Sequence, residues 1–149
     1  MMAHDDLSVL NEASPSVQAH LGILQSVIQR MAGNSAACKT WCITLVSAIL
    51  VVVADQAKPQ FTHIALVPTC LFLGLDAYYL ALEKAFRAAY SDFVRKVHTG
   101  TAKRSDLYSI EPVGHQWSHQ TAALTSFSVW GFYLTLAVLI EVIRVAVIK

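Results

Sequence analysis

The chain has 149 residues, is 55% hydrophobic and only 14% charged, and carries a formal net charge of +1. Its mean hydropathy is +0.49. Soluble domains average about a quarter charged residues, so this composition excludes an ordinary water-soluble domain and points to the bilayer. Net charge names no partner; the distribution of charge along the chain carries the information.

Residues 1–13 read as an acidic flexible tail, with Asp5, Asp6 and Glu12 and no Lys or Arg. No basic stretch precedes an apolar run there, so no cleaved signal peptide is expected. Such a tail can dock on basic residues further along the chain. The three cysteines, Cys38, Cys42 and Cys70, are odd in number and apolar in setting. They are expected to pack, without disulfide chemistry.

Residues 14–38 follow as a cytoplasmic amphipathic helix. Val17, Leu21, Leu24, Ile28 and Met31 recur at helical spacing. Ser14 and Pro15 suit the N-cap and first helical position. The opposite side carries the uncharged Gln18, Gln25 and Gln29, so both sides can face protein. GNSAA at 33–37 reads either as a loop or as a small-residue stretch where helices approach closely; the second is preferred, since it lets the helix run straight into the first membrane segment.

Residues 39–82 read as a transmembrane hairpin. Its first apolar segment, 40–54, is short for the ~20 residues a span needs, so flanking residues extend it. DQAKPQ at 55–60 is a polar turn. The second segment, 61–82, is apolar except for His63 and Asp76, with Pro68 between them.

Residues 83–121 form a basic cytoplasmic helix and loop. A second stripe, Leu75, Tyr79, Leu82, Phe86, Tyr90, Phe93 and Val97, continues without Gly or Pro from the membrane segment. Glu83 and Arg87 form a favourable i,i+4 pair. The helix is expected to stop near residues 98–100, and a loop with Pro112 and Gly114 follows. The commoner role of two such stripes is to pack on each other in a small bundle. The last segment, 122–149, is apolar except for Glu141 and Arg144 before its terminal Lys149; it can lie along the surface or re-enter, but its length and all-round apolar faces favour a third transmembrane helix.

Lys and Arg set the orientation. Arg30 and Lys39 precede the first span and six Lys/Arg lie between residues 83 and 104, whereas the hairpin turn holds only Lys58. The N-terminus and middle loop are therefore expected in the cytoplasm.

Lys84, Arg87, Arg95, Lys96, Lys103 and Arg104 are candidate phosphate ligands. Tyr90, with Phe93 and Tyr108, can stack on bases as in single-strand binders. The plainer reading is that juxtamembrane cations orient the chain and attract anionic lipid. Asp76 and Glu141 are the intramembrane carboxylates and hence pore or gate candidates. Against that, Asp76 can pair with Lys39, and Glu141 with Arg144 or with the outer interface. His115 and His119 in HQWSH have an i,i+4 spacing but no third ligand, so no metal site and no cofactor is expected. No nucleophile, Walker or Rossmann pattern is present, which argues against an enzyme.

Two blocks carry a resemblance. RMAGNSAACKTWCITLV at 30–46 and LDAYYLALEKAFRAAY at 75–90 fit R-x-A-x-N-S…K-x-W…T-L-V followed by L-D-x-Y-Y-L…E-x-x-F-R-x-x-Y. They resemble small bacterial transmembrane effectors of anti-phage defence, closest to the Hailong-type effector paired with a nucleotidyltransferase. The resemblance covers most of residues 17–148. It implies an oligomeric channel gated by a nucleotide or by short single-stranded DNA, such as oligodeoxyadenylate, made by the partner. No ligand residues carry over from it.

The expectation is thus an all-α homo-oligomeric protein of the bacterial inner membrane. It has three transmembrane helices, a cytoplasmic N-terminal helix and a cytoplasmic extension of the second span. Four or more copies, a tetramer at the smallest, would turn a weakly basic face into a strongly basic ring. The rival readings are a holin-like or toxin pore former that needs no ligand, and a structural membrane protein. Three spans without an inverted repeat speak against a transporter.

Overall fold

The structure, a computed structural model, describes residues 10–56, 58–112 and 126–146. Asp5, Asp6, His115 and His119, with the ends of the third apolar segment, lie outside them. The described chain is all-helical. Helix α1 (Pro15–Asp55), a 3-10 segment (Pro59–Ala65), α2 (Leu66–His98), a short 3-10 turn (Arg104–Asp106) and α3 (Phe127–Ala146) follow in order. These contain three helices long and apolar enough to cross a membrane, which is the composition of a multi-pass membrane protein.

Helix α1 is a single helix of 41 residues with Pro15 at its start, about 60 Å long at ~1.5 Å per residue. The GNSAA stretch does not interrupt it. Helix α2 has 33 residues, about 50 Å, and also runs unbroken, from the apolar segment past Arg87. Pro68 stands in its first turn, where a missing N–H removes no intrahelical bond. Its other end matches expectation. Gly100 takes a φ of 66°, its N–H bonds Val97 O at 3.1 Å, and Thr101 N bonds Lys96 O at 2.9 Å. This is a left-handed stop that favours glycine.

The hairpin turn differs in one respect. Residues 59–65, expected to include the start of the second span, form a 3-10 segment before α2 begins. Pro59 opens that segment, as Pro opens many helices.

Helices α1 and α2 lie antiparallel along their lengths, and α3 packs on α2 and on the 3-10 segment. One core joins Cys42 and Val46 of α1, Ala65, Ala77 of α2, and Val129, Tyr133 and Ile140 of α3. At the opposite end, a second core holds Leu10, Val17, Phe93 and Val97, with Leu21, Ala102 and Leu107 against it. The molecule thus has an apolar half built on three helices and a more polar half built on two helices and a loop.

The α1 stripe is close to expectation: Val17, Leu24 and Met31 are buried, with His20 added. The α2 stripe agrees only at its end, where Phe93 and Val97 are buried. The buried line is Ala77, Ala81, Ala85, Ala89, Phe93 and Val97. Leu75 is exposed, and Tyr79, Leu82, Phe86 and Tyr90 are half-buried on the flank. Small side chains at every fourth position let two helix backbones approach closely, and that geometry wins over the bulkier stripe.

Candidate functional site

Three polar constellations stand out. The first joins the helices of the apolar half. Asp76 on α2 is fully buried at 0% exposure. Ser35 Oγ donates to its Oδ1, and Lys39 Nζ lies 2.5 Å from its Oδ2. Lys39 and Ser35 are one helical turn apart on α1, so both reach the same carboxylate; Lys39 Nζ is also 3.5 Å from Ser35 Oγ. The ammonium lies 6.0 Å from the centre of the Phe132 ring on α3. Next to it, Tyr133 donates its hydroxyl to Phe72 O at 3.1 Å. A carboxylate withdrawn from water needs an opposite charge and further donors, and this arrangement supplies both.

Exposed Trp41, Tyr78 and Trp130 neighbour Lys39, Asp76 and Phe132 in sequence. Exposed aromatics at one level are what an interfacial belt consists of. Lys39 is 22% exposed at its side chain, so its stem reaches toward that level while its head holds Asp76. Pairing with Lys39 therefore accounts for Asp76 within a single chain.

The second constellation lies at the hairpin-tip end. Glu141 Oε2 accepts from Arg144 Nε at 2.7 Å, and Glu141 Oε1 is 3.3 Å from His63 Nδ1 of the 3-10 segment. Glu141 is half exposed there, paired with Arg144 as its spacing anticipates. His63 adds a link from α3 to the hairpin turn.

The third lies on the polar half. Gln25, Ile28 and Gln29 of α1 and Arg87, Tyr90 and Ser91 of α2 line a groove of about 530 Å³. Two amides, a guanidinium, a phenol and a hydroxyl line it with Ile28, so an anionic group with an aromatic moiety suits it. Arg87 and Tyr90 were anticipated; Gln25, Gln29 and Ser91 were not. The uncharged glutamines opposite the first stripe were the available signal.

The remaining cations do not line that groove, and the charges of Arg87 and of these cations alike are balanced along the chain. Arg87 bonds Glu83 at 2.8 Å. Arg95 bonds Asp92, Lys96 is 3.3 Å from Asp92 and 3.7 Å from Asp106. Lys103 donates its backbone N–H to Asp106 at 2.9 Å. Lys84 and Arg104 likewise have interaction partners. The Arg95 guanidinium, and after it Lys96, hold the Asp92 carboxyl below its usual value. Glu12, from the acidic tail, lies 3.1 Å from His98 Nε2.

No protein-family model matches the chain, and no curated protein or solved structure matches it either.

Proposed function

We propose that this protein is a homo-oligomeric channel-forming effector of bacterial anti-phage defence, seated in the inner membrane with its polar half in the cytoplasm. A nucleotide or short single-stranded DNA oligomer controls it from that side, and its opening depolarises the cell. One observation carries the reading. Helix α2 passes unbroken from the apolar half to the groove at Arg87 and Tyr90. A ligand seated between α1 and α2 therefore acts on the same rigid elements that hold Asp76 and Lys39. Its differential binding to two states sets the gate, and moving a population from 1:99 to 99:1 takes about 5.5 kcal/mol. Repeated groove contacts around a ring of subunits are of that order. In this reading Asp76 locks helices together rather than lining the path. Glu141, at the far end, stands nearest the outer mouth.

The test is ion flux. Liposomes loaded with potassium and carrying the purified protein should release it at a rate that changes when short single-stranded DNA is enclosed or added. Absence of any potassium release overturns the channel reading. Release indifferent to every nucleotide favours a ligand-independent pore former. One observation supports that second reading: the cations of the polar half already answer carboxylates of their own chain.

A further inference from the structure

Residues 101–112 leave α2 and fold back over the polar half of α1. The contact that holds them is specific. His20 of α1 is 2% exposed, and its Nδ1 accepts the backbone N–H of Tyr108 at 3.0 Å. The imidazole also meets the Phe93 ring edge-on, with centroids 4.3 Å apart, and faces the Tyr108 ring at 6.4 Å. Tyr108 itself has a φ of 62°. A bulky side chain rarely adopts that left-handed conformation, and it persists only where its surroundings over-determine it. The His20 acceptor is the polar contact that fixes the Tyr108 amide. Leu107, beside it, packs on the core of Val17, Phe93 and Val97.

We propose that His20 and Tyr108 form an acid-released latch that ties residues 101–112, the segment that follows α2, to α1. The chemistry is direct. An imidazole nitrogen accepts a hydrogen bond only while it is unprotonated. Protonation converts Nδ1 into a donor aimed at another donor, and the buried ring becomes a buried cation. The loop then loses its polar anchor to α1, and the left-handed turn at Tyr108 loses the hydrogen bond that fixes its amide.

The surrounding charges oppose one another. Burial pushes the His20 imidazole below its ordinary value of 6.5, and Asp106 of the loop pulls it back up. Asp106 is itself engaged by Lys96 of α2 at 3.7 Å and by the Lys103 backbone. Phe93 presents an uncharged ring from α2. From the segment before α1, Glu12 lies 3.1 Å from His98 Nε2. His20 lies well before the apolar stretch of α1, so protons reach it from water.

The sign follows from the lowered value. Folding favours neutral His20, so the latch contributes fully above about pH 6.5, the unfolded value. It weakens as pH falls from there through the lower folded value.

Hydrogen exchange of the full-length protein in lipid nanodiscs tests this. The peptide covering residues 101–112 is followed at pH 7.5 and 5.0, with labelling times scaled to the intrinsic rates. The wild type should lose protection at Tyr108 at pH 5.0 relative to pH 7.5, because the opening equilibrium rises as His20 is protonated. His20→Gln, whose amide oxygen accepts but does not titrate, should show the same protection at both values. His20→Phe, which keeps a ring but has no acceptor, should be unprotected at both. A wild-type loop indifferent to pH overturns the latch, as does a His20→Phe loop protected like the wild type at pH 7.5. A His20→Gln loop that still opens in acid assigns the response to Asp106 or Glu12 and overturns it equally.

Discussion

Lys39 Nζ on α1 lies 2.5 Å from Asp76 Oδ2 on α2, and the two side chains are very unequally buried, at 22% and 0% exposure. The inequality has a consequence. Removing Lys39 strands a fully enclosed carboxylate that keeps its hydrogen bond from Ser35 but has lost its counter-charge. Removing Asp76 strands an ammonium whose stem can carry it to water. Lys39→Ala should therefore destabilise by about 3–5 kcal/mol, and Asp76→Ala by clearly less. The double variant should cost less than the sum of the two, by about 0.5–3 kcal/mol. Reversible denaturation in detergent measures all three. Equal single losses, or strict additivity, would refute this account of the pair.

The alanine line of α2 makes a contrasting prediction. Ala85 is buried and Leu75 is exposed. Ala85→Leu should cost about 1–3 kcal/mol through overpacking, whereas Leu75→Ala should stay within about 0.5 kcal/mol. The same denaturation experiment decides. The reverse order would mean that the bulky flank, and not the small-residue line, carries the helix pairing.

How much of this was readable in the residues depended on contrast. Pro15 and Gly100 are strong local signals, so the start of α1 and the stop of α2 could be read directly, whereas GNSAA at 33–37 also admitted a loop. The alanine line carries little hydropathy contrast against leucine and tyrosine neighbours. Its A-x-x-x-A recurrence was visible, but its meaning depends on how close α1 comes. His20 and Ser35 gave no signal of their own. Each acquires a role only through a partner far away in sequence, Tyr108 and Asp76, and no periodicity encodes that. The cations of residues 83–104 were legible as charge, while their pairing with Glu83, Asp92 and Asp106 needed side-chain geometry.

Orientation is open to a direct check. In a background with Cys38, Cys42 and Cys70 replaced by alanine, Gln60→Cys in the hairpin turn should react with an impermeant maleimide in intact spheroplasts. Ser105→Cys, in the exposed loop after α2, should react only after the membrane is permeabilised. The opposite pattern would put the groove outside the cell and remove it from any cytoplasmic ligand.

Within the groove, Arg87 and Arg95 should behave differently. Arg87 lines it beside Tyr90, whereas Arg95 is held by Asp92 and is not among its lining residues. Arg87→Gln should weaken binding of a fluorescent single-stranded oligonucleotide by about tenfold or more, the ~1.4 kcal/mol scale of one charge-assisted contact. Arg95→Gln should change it by less than about threefold. Equal losses would indicate a diffuse electrostatic surface in place of a groove.

The most direct test of the central claim, that a ligand on the polar half controls conduction through the apolar half, is single-channel recording with side-specific addition. Purified protein is inserted into a planar bilayer in a known orientation. A short single-stranded oligonucleotide is then added to one chamber at a time. The account predicts a discrete conductance whose open probability changes when the oligonucleotide reaches the face bearing Arg87 and Tyr90. Addition to the hairpin-tip face should leave it unchanged. A silent bilayer, or a conductance that responds equally from both sides or from neither, would contradict it.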